Sequence, residues 1–183
     1  MSISLQNTNE NELKITSACS DDIKNITHFI LKYGPNMWNY LPEESVRNHV
    51  SKISTKETHA VIAKTNNILI GVITFEIGIF YPQYQKEHEK TKEHGYISEA
   101  VVHSEYRGKG IGPILLRQAI SILKSIQIPM HMPIHTIYAM RHVDNIPSYK
   151  MMTKCDMELI DDFDDFEVRT SGSRKTAIHQ ITL

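Results

Sequence analysis

A glycine-rich turn between a predicted strand and a predicted helix carries the most specific chemistry in this sequence. Gly108, Gly110 and Gly112 alternate there with the two cations Arg107 and Lys109. Glycines let backbone N–H groups approach an anion closely, and the first N–H groups of a helix carry partial positive charge. Arginine adds a planar fork that matches phosphate oxygens. The spacing therefore favours a phosphate-binding loop over a tight turn with solvated basic side chains.

Two familiar nucleotide loops and one class of partner are excluded. A dinucleotide fingerprint requires glycine or alanine where this chain has Pro113, and no G-x-x-x-x-G-K-[ST] motif for a triphosphate is present. The 183 residues include 20 Lys and Arg against 21 Asp and Glu, for a net charge of -1. Nucleic-acid-binding proteins usually carry a strongly basic face, so we expect no nucleic-acid partner.

Metal binding is not predicted. Cys19 and Cys155 lie too far apart for a paired zinc-binding motif, and a free, reduced pair is the simplest interpretation. His131 and His135 have i, i+4 spacing, but Pro133 between them interrupts the helix that such a ligand pair needs.

The first eleven residues are polar and are predicted to form a flexible leader to a single domain over residues 12–183. The leader lacks the positive start and apolar run of an export signal. The most apolar stretch, Ile68–Tyr81, is about half the length of a spanning helix and contains Glu76. We therefore expect a cytoplasmic protein with no membrane partner.

The elements that must position the turn follow the order β-α-α-β-β-β-α-β-α-β-β, which predicts a mixed α/β fold with one core. The strand Tyr96–Val102 precedes the turn, and the amphipathic helix Ile114–Ile126 follows it. The other predictions are a helix capped by Ser20 and ended by Gly34, helices at Pro42–Ile53 and Asn145–Lys154, strands at Leu13–Ile15, Ala60–Ala63, Ile68–Phe80, Ile134–Met140, Glu158–Ile160 and Ala177–Leu183, and a break at Ile128–Pro133.

Two motifs carry a resemblance to a known family. The pattern R-x-x-G-x-G is met by Arg107, Gly110 and Gly112, directly after a strand of the expected kind. Asn145 and Ser148 match the Asn-x-x-Ala/Ser start of a later helix. On these residues, and on the order of its elements, nearly the whole chain resembles the GNAT superfamily of N-acetyltransferases.

The resemblance implies a mostly antiparallel central sheet, flanked by helices and splayed between two parallel strands. Acetyl-CoA, or another acyl-CoA, would lie in that gap as the co-substrate. Its pyrophosphate would rest on the amides of the turn, and its pantetheine arm would add to the open edge of the central strand. The implied cofactor-binding residues are Ala100, Val102, Arg107, Gly108, Lys109, Gly110, Ile111, Gly112, Asn145 and Ser148.

Direct attack of a substrate amine on the thioester carbonyl is implied by the same resemblance. The ammonium must first lose a proton to a base or through water. Glu99 is the predicted base, because a carboxylate in an otherwise apolar strand should have a raised pKa. An edge-facing or ion-paired acid is the alternative, since strand alternation places Glu99 opposite Ala100.

Tyr149 is the predicted acid for the departing thiolate. The family commonly has a tyrosine seven residues after the asparagine that starts the helix, where this chain has Met152. Tyr149 lies three residues earlier on a similar helix face, and the alternative is a core tyrosine with a tethered hydroxyl. Cys155 is a further candidate, but a lone cysteine is more often a small buried hydrophobe.

The acceptor pocket is predicted from aromatic residues in two loops and from the last strands. Their ring faces would hold a cationic amine, unless they serve ordinary loop packing. The candidate substrate-binding residues are Trp38, Tyr40, Tyr81 and Tyr84. His142 is a further candidate for this pocket, with a surface histidine as the alternative.

An acidic segment, Asp156–Glu167, carries seven acids and no basic residue. Such a run is usually a solvated loop, and the alternative is that it attracts a polycationic acceptor.

The sequence thus predicts an acetyl-CoA-dependent N-acetyltransferase that acts on a primary amine of a small molecule or peptide. A non-catalytic acyl-CoA-binding sensor, favoured by Met152, remains an alternative, as does a phosphate-binding domain unrelated to CoA. Exposed final strands are consistent with a homodimer.

Overall fold

The computed structural model describes residues 12–86, 92–128, 132–164 and 175–183. Its strands are β1 (Lys14–Ser17), β2 (Thr58–Thr65), β3 (Ile68–Gly78), β4 (His94–Val102), β5 (Gln127–Ile128), β6 (Met132–Pro133), β7 (Thr136–His142), β8 (Glu158–Asp164) and β9 (Lys175–Thr182). Its α-helices are α1 (Ile23–Tyr33), α2 (Glu43–Ser51), α3 (Ile111–Ser125) and α4 (Ile146–Thr153).

One sheet of seven strands, in the order β1-β2-β3-β4-β7-β9-β8, organises the described residues. Its neighbouring strands are antiparallel except for the central pair, β4 and β7, which run parallel. This parallel pair is joined only from Gly95–Ile97 of β4 to Ile137–Ala139 of β7. Beyond that point β4 continues along β3, and β7 continues along β9. The two central strands therefore diverge and leave a gap in the middle of the sheet.

Apolar side chains cover both faces of this sheet. On one face α3 buries Leu115, Ala119 and Leu123, which recur at helical spacing, against β2, β3 and β4. On the other face α1 and α2 form a second cluster, in which Ile26 and Val50 are fully buried. Each buried leucine, isoleucine or valine side chain contributes about 2 kcal/mol of hydrophobic stabilisation. The two layers of helices thereby hold β4 in place where it separates from β7 in the middle of the sheet.

The predicted mixed α/β fold with a mostly antiparallel, centrally splayed sheet is confirmed. The start of α3 differs, because the helix begins at Ile111 rather than Ile114. Pro113 is compatible with that start, since a residue in the first turn has no intrahelical N–H bond to lose.

The predicted cap at Ser20 is wrong. Ser20 lies inside a short 3-10 turn, Ser20–Asp22, and the backbone N–H of Cys19 donates to Asp22 Oδ2 at 3.1 Å. Residue Asp22 is then the one that precedes α1.

Two segments contain more strand than the sequence predicts. In the predicted break, Gln127–Ile128 pairs with Met132–Pro133 as a short hairpin. In the acidic segment, the predicted strand Glu158–Ile160 is confirmed and continues to Asp164 as the edge strand β8, so most of that segment is not a loop. Its carboxylates face water at the edge of the sheet, where charge discourages pairing with another chain. Residues 165–167 and His131 lie outside the described residues.

None of the helices described is long and apolar enough to cross a membrane.

Candidate active site

A cavity of about 540 Å³ opens where β4 leaves β7, between the N-termini of α3 and α4. We call it the loop cavity. It is lined by the glycine turn, by Ala100–Val102 of β4, by Asn145–Ser148 at the start of α4, and by residues of the loop after α1 such as Trp38. The motifs that the sequence singled out therefore meet at one cavity.

The turn requires glycine for its backbone conformation at two positions. Gly108 has φ 76° and Gly110 has φ 84°, in the left-handed region that side chains disfavour. A Cβ added at either residue would meet no atom within 4 Å. The open space beside both residues, together with the first N–H groups of α3, fits a bound phosphate.

The sequence predicts that the Arg107 side chain contacts phosphate, but in the structure two backbone carbonyls hold it. Its Nε donates to the Val102 carbonyl at 3.0 Å and its Nη2 donates to the Tyr33 carbonyl at 2.8 Å. The guanidinium thus ties the end of β4 to the end of α1, instead of presenting its whole fork to phosphate. Lys109 is not among the residues that line the loop cavity, and its Nζ lies 5.2 Å from the ring centroid of Tyr106.

The free edge of β4 faces the gap at Ala100 and Val102. The backbone N–H groups of Glu99 and His103 point toward β3, to the Thr74 hydroxyl and the Ile70 carbonyl. Because N–H directions alternate along a strand, those of Ala100 and Val102 point into the gap. The Val102 carbonyl already accepts from the Arg107 side chain, so its second lone pair is the one left for a ligand.

Asn145 and Ser148 form the N-terminal cap of α4. The Asn145 side-chain oxygen accepts the backbone N–H of Ser148 at 3.1 Å. This hydrogen bond explains the Asn-x-x-Ser spacing, because the side chain of an N-cap residue accepts the backbone N–H of the third helical residue. Both residues also line the loop cavity, opposite β4.

A second cavity, of about 190 Å³, lies deeper between the diverging strands. We call it the strand cavity. Its lining includes Tyr96, Ser98 and Glu99 of β4 and Arg141 and His142 near the end of β7. Six lining residues are shared with the loop cavity, namely Trp38, Asn39, Ala100, Asn145, Ser148 and Met151. The two cavities therefore adjoin.

A β-bulge decides which way Glu99 faces. Ile97 pairs with Phe75 and Glu99 pairs with Thr74, so Ser98 is an extra residue in β4. Ile97 packs in the α3 cluster, whereas Val101, an even number of residues later, packs in the α1–α2 cluster. The bulge thus turns Glu99 away from the α3 face. Regular strand alternation does not predict this change in the face that the Glu99 side chain occupies.

The environment of Glu99 suits a general base. Burial raises the pKa of Glu99, while a hydrogen bond from Asn39 and the positive charge of a protonated His49 act in the opposite direction. Asn39 Nδ2 donates to Glu99 Oε2 at 3.5 Å. A carboxylate with a raised pKa accepts protons more readily near neutrality.

The structure does not bring Tyr149 to Glu99. Tyr149 lines neither cavity; its ring lies 4.9 Å from the Arg141 guanidinium and 6.0 Å from the His179 ring. Met152, which stands at the family's tyrosine position, is 3% exposed and belongs to the α3 core.

Cys155 is likewise a packing residue. Its Sγ donates to the Pro113 carbonyl at 3.4 Å and so links the end of α4 to the start of α3. Burial raises the pKa of the Cys155 thiol, which keeps it protonated.

The four aromatic candidates separate into two groups. Trp38 lines both cavities, whereas Tyr40 from the same loop is 84% exposed and lines neither. Tyr81 and Tyr84 pack against each other at 6.3 Å, and Tyr81 lies 6.0 Å from the ring of Tyr96 at the strand cavity. The Tyr84 hydroxyl donates to Asp161 of β8; burial, with that bond, raises the pKa of Tyr84 to about 12.

Sequence reasoning missed several polar side chains of the strand cavity, three of which stand out. Asn39 comes from the loop after α1, Tyr96 from β4, and Arg141 from β7. Arg141 is buried and donates from Nε to His179 Nε2 at 3.0 Å. Burial, reinforced by this cation, lowers the pKa of His179 to about 4, so the imidazole is neutral. No local pattern marks these residues, because the fold alone brings them together.

His142 is buried rather than on the surface, and it lines the strand cavity. Its Nδ1 accepts the backbone N–H of Asp144 at 3.1 Å. Among the residues that the structure describes, no cluster of three or more potential metal ligands occurs.

Comparison with known proteins agrees with this geometry. The model of the acetyltransferase (GNAT) family matches residues 23–157. No curated protein matches the sequence significantly.

Solved structures resemble this chain over most of its length at low identity. NAA60 from Arabidopsis thaliana in complex with acetyl-CoA has a TM-score of 0.73 and 13% identity, over 94% of this chain and 99% of that chain. Naa50 from Arabidopsis thaliana in complex with the bisubstrate analogue CoA-Ac-MVNAL has a TM-score of 0.67 and 18% identity, over 93% and 99%. An N-acetyltransferase from Staphylococcus aureus Mu50 has a TM-score of 0.69 and 17% identity, over 93% and 98%.

Proposed function

This chain belongs to the GNAT family of acetyltransferases, and from that premise we propose that it transfers an acetyl group from acetyl-CoA to a primary amine. The family match confirms the resemblance predicted from the glycine turn and the Asn145–Ser148 motif. The proposal depends on one observation, which is that the loop cavity and the strand cavity adjoin. One has the features of a phosphate-binding turn, and the other holds a partly buried carboxylate.

The co-substrate is held, in this proposal, by backbone groups of the loop cavity. The amides of Gly108 to Gly112 receive the pyrophosphate, and the free edge of β4 at Ala100 and Val102 receives the pantetheine arm. The start of α4, with Asn145 and Ser148, closes the opposite side. The bound thioester supplies the acyl group.

Glu99 acts as the base for the acceptor. The acceptor amine enters the strand cavity, and its ammonium gives a proton to Glu99 directly or through water. The free amine then attacks the acetyl carbonyl, and CoA leaves as the thiolate. Trp38, which lines both cavities, covers the junction at which the two substrates meet.

The acceptor is a small molecule or a peptide. An open rim favours an extended acceptor: Met37 and Tyr40, in the loop after α1, are 85% and 84% exposed beside Trp38. The structural neighbour Naa50 was solved with a peptide-bearing bisubstrate analogue. The acidic strand β8 supports a cationic acceptor, since its carboxylates face water on the side of Tyr84.

We also propose a location and an oligomeric state for the protein. Cys19 and Cys155 are free thiols, which supports a cytoplasmic location. A homodimer is the second property: the four exposed acids of β8 disfavour pairing at that edge, so its contact would use another surface, such as the other described sheet edge, β1. Sedimentation of the protein distinguishes a dimer from a monomer.

The test of the function combines binding and turnover. Acetyl-CoA at 100 times its Kd should stabilise the protein by about 2.7 kcal/mol, measured as a thermal shift. Thiol release from acetyl-CoA is followed with a small primary amine, a polyamine and a peptide with a free N-terminus. Glu99→Gln should lower kcat about 100-fold with the thermal shift intact. Glu44→Gln, at an exposed site on α2, is the matched control and should behave as the wild type.

Two results contradict the proposal. A thermal shift without thiol release on any amine identifies a non-catalytic acyl-CoA-binding module. The absence of any thermal shift with acetyl-CoA or CoA identifies a phosphate-binding domain unrelated to CoA.

A further inference from the structure

A side-chain hydroxyl completes the β-bulge beside the proposed base. The β3–β4 register shifts between Thr74 and Phe75, and a bulge of this kind interrupts the hydrogen-bond ladder. At that point the Glu99 N–H donates to Thr74 Oγ1 at 3.1 Å. Thr74 is 0% exposed, so water cannot take over this bond. The local backbone of Glu99 therefore depends on one buried hydroxyl.

A chain of hydrogen bonds orients that hydroxyl. Thr74 Oγ1, which accepts from Glu99, also lies 2.8 Å from His49 Nε2 and is hydrogen-bonded to it. His49 Nδ1 lies 3.1 Å from Glu76 Oε1, and Thr58 Oγ1 donates to the same oxygen at 2.9 Å. His49 thus donates from Nδ1 to Glu76 and contacts the Thr74 hydroxyl through Nε2, so the imidazole bridges the two side chains.

Glu76 is well suited to anchor this chain. The hydrogen bond from His49 lowers the pKa of Glu76, and the bond from Thr58 adds to that effect. The carboxylate is thus ionised near neutral pH and accepts from both partners. The groups that face His49 are Thr74 and Glu76 of β3, Glu99 of β4, and Lys52 just beyond α2, whose charge also acts on Glu76.

We propose that Thr74, oriented by His49 and Glu76, is a positioning residue that holds Glu99 at the bulge in the geometry needed to accept the substrate proton. None of these three residues lines either cavity, so they act through Glu99 and not by contact with a substrate. The inference rests on the proposed function, in which Glu99 is the base. The chain joins α2, β3 and β4, and residues 25 positions apart in sequence meet in it.

Thr74→Val is the main test, because it keeps the shape of the side chain and removes the hydroxyl. We expect kcat for acetyl transfer to fall about tenfold, with the KM for acetyl-CoA unchanged, since only the base is displaced. Thr74→Ser restores the hydroxyl and should restore kcat. His49→Leu, at a partly exposed position, should also lower kcat several-fold without altering the KM for acetyl-CoA.

Two variants match these changes outside the network. Thr27 is a buried threonine whose hydroxyl donates to the Ile23 carbonyl within α1, and Thr27→Val should leave kcat unchanged. His28 is exposed on the same helix, and His28→Leu should also leave kcat unchanged. Thermal melts verify that each variant is folded.

The outcomes separate this inference from the proposed function. Failure of the wild type to release thiol with any amine overturns the proposed function and the inference with it. An active wild type and an inactive Glu99→Gln, together with an unchanged kcat in Thr74→Val, overturn the positioning role alone. A loss that Thr74→Ser does not restore, or that Thr27→Val reproduces, also overturns it. Should Thr74→Val not fold, His49→Leu decides: a wild-type kcat overturns the role, and a selective loss of kcat supports it.

Discussion

The loop cavity and the strand cavity meet in one cleft but are assembled in different ways. The loop cavity depends on a turn of consecutive residues, in which Gly108 and Gly110 adopt positive φ and have open space beside them. The strand cavity takes Glu99 from β4, Asn39 from the loop after α1, and Arg141 from β7. A site made of backbone leaves a local signature in the sequence, whereas a site made of distant side chains does not.

The largest effect that we predict from this comparison is on the loop cavity. An alanine at Gly110 must adopt φ 84°, which costs about 1–2 kcal/mol for an L-residue, so the turn will relax and displace its N–H groups. We expect Gly110→Ala to raise the Kd for acetyl-CoA about tenfold, measured by titration calorimetry. The kcat at saturating acetyl-CoA should change less than about twofold, since Glu99 is not moved.

Gly112 provides the matched control for Gly110→Ala. It has no positive φ, and a Cβ there would lie 3.0 Å from Met151 Sδ, near the end of a flexible side chain. Gly112→Ala should therefore weaken acetyl-CoA binding only a few-fold, because the methionine can move. If Gly112→Ala weakens binding as much as Gly110→Ala, steric crowding and not backbone conformation governs the loop cavity.

The same contrast explains how much the sequence predicted. The order of elements and the turn before α3 were predictable, because apolar periodicity and glycine spacing are local. The direction of Glu99 was not, because the bulge at Ser98 reverses which face of β4 it occupies, and nothing in the strand's own residues marks a bulge. Arg107 was assigned to phosphate by its type, but two carbonyls close to it in the fold take its donors. Pairing across the sheet thus decides what local reasoning leaves open.

The ionisation of Glu99 in the strand cavity should determine how the rate of the reaction depends on pH. Burial raises the pKa of Glu99 above its ordinary 4.5, and the base must be deprotonated, so kcat/KM should rise with pH through a midpoint above that value. The Asn39 hydrogen bond stabilises the charged carboxylate and acts to lower this pKa. Asn39→Ala should therefore move the midpoint upward by roughly half a pH unit, since a 3.5 Å hydrogen bond is weak.

This shift corresponds to a loss of about threefold in kcat/KM at pH values below the midpoint, with little change above it. Asn48→Ala, at an exposed position on α2, is the control and should leave the profile unchanged. A midpoint that stays fixed or moves downward in Asn39→Ala would show that Asn39 does not stabilise the ionised form of Glu99.

The smallest predicted effect concerns Tyr149, which sequence position alone made a candidate acid. Its ring packs on Arg141 at 4.9 Å, outside both cavities, and phenylalanine keeps that cation–π contact. We expect Tyr149→Phe to change kcat less than about twofold, because only a hydroxyl remote from Glu99 is removed. Tyr149→Ala removes the ring as well and should lower the thermal midpoint while Tyr149→Phe does not. A fall in kcat of tenfold or more in a fully folded Tyr149→Phe variant would instead make this hydroxyl the proton donor to the departing thiolate, and would mean that α4 moves toward the strand cavity when both substrates are bound.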